Sequence, residues 1–459
     1  MELLDRILQV AVDTAWGMPL VVLLVVGGLF LTLLSRLLPL TQGRHALQVL
    51  LGRYDNPDDP GQISHFQALS TALAATIGVG NIGGVAIAIT QGGPGAVFWM
   101  WVAAAVGMTT KFFSCTLSQL YRKRDDLGVV QGGPMYTIEV GLGRRWKPLA
   151  VMFAAFGTIG CLPMFQTNQM AEILDGLYDV PGWATGLGCT VLTGIVAFGG
   201  VERIGRVTSK LVPAMCLIYL VMGIVVLIVQ IEVVPEMFAR IFREAFTGHA
   251  ATGGAAGIAF TQVVQIGVKR AAFSNEAGIG TAPLAHGAAK TTEPVREGLV
   301  AMLGPFIDTI VVCSITALVI LTSTDAGAGE VEGVSLTARA LASTLGAWAP
   351  HVLVVVVTLF AVSTMISYSY YGTKCFGYLF GARHAGIYVY LYLAGLFVGS
   401  VWTASMVINL IDTTFAMMAV PNMIATLILA PKVVEATKDY VARMHGDRET
   451  PSVRRVVKG

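Results

Sequence analysis

Formal charge is scarce in this chain. Only 13% of its 459 residues are Asp, Glu, Lys or Arg, against about 25% in an average soluble domain. Hydrophobic residues make up 55%, and the mean hydropathy is +0.70. A soluble fold has too little interior to hide that much apolar surface, so the composition excludes a water-soluble globule and implies a polytopic membrane protein. Cysteine is also rare. Cys115, Cys161, Cys189, Cys216, Cys313 and Cys375 are dispersed through apolar segments without C-x-x-C spacing. They read as reduced packing residues, which argues against a disulfide framework or a thiolate metal centre. There is no His-rich metal cluster and no Ser-His-Asp constellation, and residues 128–133 lack the phosphate-loop pattern. No stretch repeats like an ion-selectivity filter. An enzyme or a channel therefore has no residues to carry it. The first sixteen residues hold Glu2, Asp5, Arg6 and Asp13 without a small-residue cleavage site, so no signal peptide is expected. The net charge of +2 gives no reason to expect a nucleic-acid partner.

What is present is a series of apolar runs. A span needs about 20 mostly apolar residues, and that criterion predicts eleven helices, at 18–40, 67–92, 95–121, 150–175, 184–200, 208–231, 254–290, 300–322, 350–373, 385–400 and 403–430. Placing the N-terminus outside puts 22 of the 30 Lys and Arg in loops on the inner side and four outside, an asymmetry that sets the orientation and makes the C-terminus cytoplasmic. Residues 1–66 then hold one extra helix and a cytoplasmic loop, 232–253 an extracellular connector, and 431–459 a basic cytoplasmic tail in contact with membrane lipid.

Two of the runs are interrupted. The first reads Ile77-Gly78-Val79-Gly80-Asn81-Ile82-Gly83-Gly84 and the second Phe273-Ser274-Asn275-Glu276-Ala277-Gly278-Ile279-Gly280. Glycine unwinds a helix at little steric cost, and the freed N–H and C=O groups are tolerated at membrane depth only where they line a protein cavity. Setting the first helix aside leaves five helices over 67–231 and five over 254–430, each set opening on a broken helix. Five is odd, so the second set is inserted upside down. The expected fold is all-α, a five-plus-five inverted repeat preceded by one extra helix, with a binding site at the midplane.

The interrupted stretches, with Gly92-Gly93-Pro94-Gly95-Ala96-Val97-Phe98-Trp99, Gln131-Gly132-Gly133-Pro134-Met135-Tyr136, Thr281-Ala282-Pro283 and Ser369-Tyr370-Tyr371-Gly372, resemble the alanine or glycine:cation symporter family. The resemblance covers nearly the whole chain. It implies a leucine-transporter-type fold in a prokaryotic plasma membrane, importing a small neutral amino acid such as alanine or glycine with inward Na⁺ flow. Proton coupling, or a substrate such as serine, is the alternative on the same fold. The oligomeric state is left open.

The resemblance also implies site residues. Val79 and Gly80, with Asn81 beside them, would offer backbone donors to the substrate carboxylate, and Phe273, Ser274 and Asn275 carbonyls and a wall opposite. Gln166 would be a polar contact, and Ile279 and Tyr368 would close the side-chain pocket. Tyr368 stands where this family often has tryptophan, which leaves the substrate size range open. For Na⁺ the implied ligands are the carbonyls of Ala74, Ile77 and Phe360 and the hydroxyls of Ser363 and Thr364. Adjacent hydroxyls lie about 100° apart on a helix, so both can reach one ion. The competing reading is that they bond back to their own helix. A weaker second Na⁺ site would use Thr76 and Asn81. Among ionisable residues, Lys111 reads as snorkelling or paired, and Glu276 as pairing with Lys269 or Arg270 or as gating. Asp308 and Asp412 are candidates for a cation or proton path, and His286 reads as hydrogen-bonded rather than as a proton carrier.

Overall fold

The computed structural model of the chain describes residues 2–247, 260–323 and 333–444. Helix dominates it. Among the described residues strand pairing is confined to an antiparallel ladder of Lys123–Arg124 on Val130–Gln131 and one parallel bridge between Ile63 and Ala289. Among the described residues seven helices are long and apolar enough to cross a membrane: Gly95–Leu120, Arg144–Tyr178, Gly200–Val229, Pro294–Ser323, Ala349–Phe380, Ala382–Val401 and Ala404–Met444. Two bent pairs raise the number to nine. Asp5–Ala15 and Met18–Leu34 meet at 42°, and His65–Thr76 and Gly80–Gly92 at 52°. The other two expected spans fall on Gly182–Ala197 and on Phe260–Asn275 with its continuation Ala282–His286. Each of those helices is 16 residues or shorter, less than a bilayer requires of one straight helix.

Burial separates centre from periphery. The apolar stretch of Ala349–Phe380 is 72% buried and that of Gly200–Val229 only 33%. Gly200–Val229 accordingly turns Leu217, Val221, Ile228 and Val229 outward, an apolar face suited to lipid. Ala349–Phe380 lies against both His65–Thr76 and Lys147–Gly160.

Three segments expected to be loops are helical. Leu38–Leu50 follows the first span, Val234–Thr247 occupies the connector, and Gly333–Leu345 precedes the long central helix. The connector helix is amphipathic, and its Phe238, Phe242 and Phe246 recur every four residues to pack on Phe98, Trp99 and Trp101. The expected tail is helical as far as Met444 and docked: Tyr440 bonds His45 at 2.7 Å, and Arg443 takes Glu293 through two contacts of 2.6 and 2.9 Å. The remaining tail cations Arg448, Arg454, Arg455 and Lys458, and the start of the predicted 254–290 span, lie outside the described residues.

Where the chain enters the first broken helix and leaves the second, the two segments are tied together. Gln62 N–H donates to Ala288 O and Lys290 N–H to Ile63 O, both at 2.8 Å. Gly61, at φ 146°, approaches so closely that a Cβ there would lie 2.5 Å from Ala289 O.

Candidate functional site

The first break begins where Ile77 leaves the helical region at ψ 95°. The Gly78 N–H then donates to Asn81 Oδ1 at 2.8 Å, so a side chain closes what the helix has opened. Gly80–Gly84 continues as a π-turn, a wider coil that leaves backbone groups out of register. The second break follows Asn275. Glu276, Gly278 and Gly280 have φ of 56°, 86° and 100°, a left-handed path that glycine takes without cost and Glu276 does not. Asn275 Oδ1 accepts from Ala277 N–H at 2.9 Å, and Asn422 donates to Gly278 O at 2.8 Å. The two breaks meet at Gly80, where a Cβ would lie 3.2 Å from Cε1 of Phe273.

Beside the first break four oxygens converge. Thr364 Oγ1 donates to Ala74 O at 2.9 Å and to Phe360 O at 3.1 Å; Ser363 Oγ stands 3.4 and 2.8 Å from the same two carbonyls. The hydroxyls thus bond back to their own helix and across to the broken one at once. Ile77, at the end of the same broken helix, is fully buried. The set is neutral and hard, carbonyls and hydroxyls without a carboxylate, which suits a weakly held monovalent cation. Among the described residues no cluster of His, Cys, Asp and Glu could hold a metal ion. Thr76 Oγ1 donates to Ala72 O of its own helix at 3.0 Å.

Of the residues expected around a substrate, Val79, Gly80 and Ile279 are wholly buried at the breaks, and Gln166 is buried on Met164–Tyr178. The Phe273 ring meets Phe165 edge-on at 5.0 Å and Phe415 at 5.9 Å. The polar side chains there are otherwise engaged. Asn81 Nδ2 donates to Asp308 Oδ1 at 2.7 Å, Ser274 Oγ to Asp308 Oδ2 at 2.8 Å, and Asn275 Nδ2 to Thr309 Oγ1 at 2.9 Å. Thr309 in turn donates to Asp308 Oδ2 at 2.7 Å. Asp308, fully buried in the π-turn Phe306–Cys313, therefore ties both breaks to a third helix. That central position is more than the sequence reading gave it. An aspartate next to threonine inside an apolar run was the available signal.

Tyr368 reaches the second break, but its hydroxyl donates to Glu276, whose other oxygen accepts from Thr281 at 2.5 Å. Glu276 does not pair with Lys269 or Arg270 as expected. Both cations lie on the helix before the break and face Asp412 instead. Lys111 is buried, at 2% exposed, so it does not snorkel. His286 is held by Glu297 Oε1 at 2.5 Å, and His65 takes the other oxygen of that carboxylate. Next to them Arg122 donates to Pro60 O and Ala289 O at 3.0 Å and to Thr291 O at 2.7 Å. Burial pulls its guanidinium down to about 10, still charged at neutral pH.

Two broken helices meeting at a buried junction, with a neutral oxygen cage alongside, is an arrangement for a small polar ligand and an ion at membrane depth. The sequence matches the sodium:alanine symporter family over residues 1–455. The chain belongs to that family. It is 41% identical over 433 residues to the sodium/alanine symporter AgcS of Methanococcus maripaludis, covering 93% of this chain and 94% of AgcS. It is 35% identical over 446 residues to the putative sodium/proton-dependent alanine carrier YrbD of Bacillus subtilis, covering 93% and 90%. In fold it is similar to MhsT in complex with L-phenylalanine, at a TM-score of 0.54 and 12% identity, over 82% of this chain and 98% of that one. The chain is therefore a multi-pass secondary transporter of the plasma membrane and not an enzyme.

Proposed function

We propose that this symporter imports a small neutral amino acid, alanine or glycine first, driven by inward Na⁺ flow through alternating access. The observation that carries the reading is the convergence of Ser363 and Thr364 on Ala74 O beside the first break. A coupling ion held there would fix the end of the broken helix, and with it the junction between Gly80 and Phe273. Val79 and Gly80 would present backbone donors to the carboxylate, with Phe273, Ser274, Asn275, Gln166, Ile279 and Tyr368 around the rest. The ion would be held by Ala74, Ile77, Phe360, Ser363 and Thr364. Only the backbone of Asn81, Ser274 and Asn275 would serve, because their side chains are engaged with Asp308, Thr309 and the breaks.

The proposed topology has eleven spans, with the N-terminus outside and the C-terminus in the cytoplasm. Residues 67–231 and 254–430 form the two inverted repeats. Supporting it are the lysine and arginine asymmetry and the opening of each set on a broken helix.

A second reading, proton coupling, has one specific observation in its favour. Asp308 is a fully buried carboxylate bonded to both breaks, where gain of a proton would alter both at once. Uptake of labelled alanine into proteoliposomes separates the two. Accumulation under an inward Na⁺ gradient, absent when K⁺ replaces Na⁺ at equal pH, supports sodium. Accumulation that ignores Na⁺ and follows an imposed pH gradient would overturn it in favour of protons.

A further inference from the structure

Glu297 is a fully buried carboxylate near the start of Pro294–Ser323, and each of its oxygens faces a histidine. His65 Nδ1 bonds Oε2, and His286 Nδ1 bonds Oε1 at 2.5 Å. The two rings are buried, at 1% and 0% exposed. An ionised carboxylate only accepts, so both Nδ1 atoms carry hydrogen. His286 Nε2 is then left buried with no hydrogen-bond partner. Two neutral rings leave the carboxylate's charge unbalanced by its own partners. One added proton makes the trio neutral, and a buried charge is tolerated where it is both paired and hydrogen-bonded.

The trio sits where the two broken helices are tied. His65 is the first residue of His65–Thr76, and His286 the last of Ala282–His286. The same two segments are joined through their backbones, Gln62 to Ala288 and Lys290 to Ile63. Gln119 Nε2 also donates to His286 O. Opening this end of the bundle parts the two helices, and with them at least one histidine from the shared carboxylate. The charged groups facing the trio are Arg122, Arg296 and Asp55, with the Cys115 thiol also titratable. Arg122 is committed to three carbonyls, and Arg296 lies over the rings of Tyr54 and Tyr440. Beyond them His45 bonds Tyr440, Arg443 bonds Glu293, and Lys111 faces Glu276 and Asp308.

We propose that His65, Glu297 and His286 form a proton-operated latch on this end of the transporter, holding one more proton closed than open. When the helices part, the released imidazolium enters water, where a histidine titrates near about pH 6.5, and gives its proton to that water. Closure takes a proton back from the same side. The proton therefore does not cross the membrane and is separate from the coupling ion. The latch is at full strength below about pH 6.5, where the parted ring is protonated too, and weakens as pH rises above it. The inference rests on the alternating access proposed above, and on a topology that makes this the cytoplasmic end.

The test is exchange of labelled for unlabelled alanine across proteoliposomes, with equal alanine, saturating sodium and the same pH on both sides, so that no gradient drives the flux. Wild-type exchange should be level below about pH 6.5 and quicken by about tenfold towards about pH 8.5. His65→Asn/His286→Asn keeps an N–H donor at each Nδ1 position but cannot titrate, and its exchange should be level throughout. Glu297→Gln, which removes the charge that holds the proton, should be level as well. Wild-type exchange that is level or slows as pH rises, or a pH dependence that survives in the asparagine pair, overturns the latch. Amide hydrogen exchange at 61–63 and 286–291 in the purified full-length protein, corrected for its intrinsic pH dependence, reads the latch without substrate. Opening there should increase over the same window in the wild type, and no increase overturns the latch. Wild-type protein that shows this opening but exchanges no alanine upholds the latch and rejects the alanine reading instead.

Discussion

Thr364 and Ala74 are separated by 290 residues, and the Thr364 hydroxyl donates to the Ala74 carbonyl at 2.9 Å. Ala74 sits in the last turn of His65–Thr76, where a helix ends with carbonyls that have no intrahelical donor. The hydroxyl meets that need. A sodium ion would meet it better, with the hydroxyl rotating to offer its lone pair. Ser363→Ala/Thr364→Ala should therefore raise the Na⁺ concentration for half-maximal uptake by about tenfold or more, roughly 1.4 kcal/mol. Sodium titration of alanine uptake measures this. The cost to folding should be small, since each hydroxyl contributes only about 1 kcal/mol net.

Gly78 tests the same contact from the other side. A Cβ there would lie 2.5 Å from Thr364 Oγ1 and would push the hydroxyl away from Ala74. Gly78→Ala should abolish sodium-driven uptake while circular dichroism shows normal helix content. Gly84 is the control. Its Cβ would meet only Phe273 Cδ1, at an ordinary 3.8 Å, so Gly84→Ala should keep most of its transport.

Asp308 accepts from Asn81, Ser274 and Thr309. Asp308→Ala strands three buried donors and should lower stability by about 3 kcal/mol or more, read as a fall in the thermal unfolding midpoint. Asp308→Asn retains one acceptor oxygen and should cost less. Under sodium coupling, the Asn variant still accumulates alanine along a Na⁺ gradient. If Asp308 carries a proton, that variant loses its response to an imposed pH gradient.

The helical, multi-pass membrane character of the chain was legible because lipid imposes simple rules: apolar length and the glycine-rich breaks are compositional features. The helices Leu38–Leu50, Val234–Thr247 and Gly333–Leu345 were missed because a 13- or 14-residue amphipathic helix carries no membrane-span signal. Pro431 hid the continuation of the last helix to Met444, since proline in a helix interior normally marks an end. At the site, the residue types were legible but their partners were not. Nothing in the sequence says that Asn81 turns to Asp308, that Tyr368 turns to Glu276, or that Arg270 turns to Asp412. Those pairings span up to 227 residues and depend on how three helices cross.

Arg122 joins three carbonyls from two segments, Pro60, Ala289 and Thr291. No side chain without the guanidinium's fork of N–H donors spans that set. Arg122→Ala should loosen this end of the bundle, so that amide hydrogen exchange at 60–63 and 286–291 speeds up while exchange in Gly95–Leu120 is unchanged. Arg122→Lys should fall between the two.

The central claim is that one Na⁺ held at Ser363 and Thr364 drives the amino acid inward. Simultaneous influx of radiolabelled sodium and labelled alanine into proteoliposomes tests it most directly. The account predicts that alanine stimulates sodium entry at a fixed ratio in the wild type, and that in Ser363→Ala/Thr364→Ala both fluxes fall together and recover together only at about tenfold higher Na⁺. Alanine accumulation without alanine-stimulated sodium entry, or a double variant with unchanged coupled flux, would contradict it.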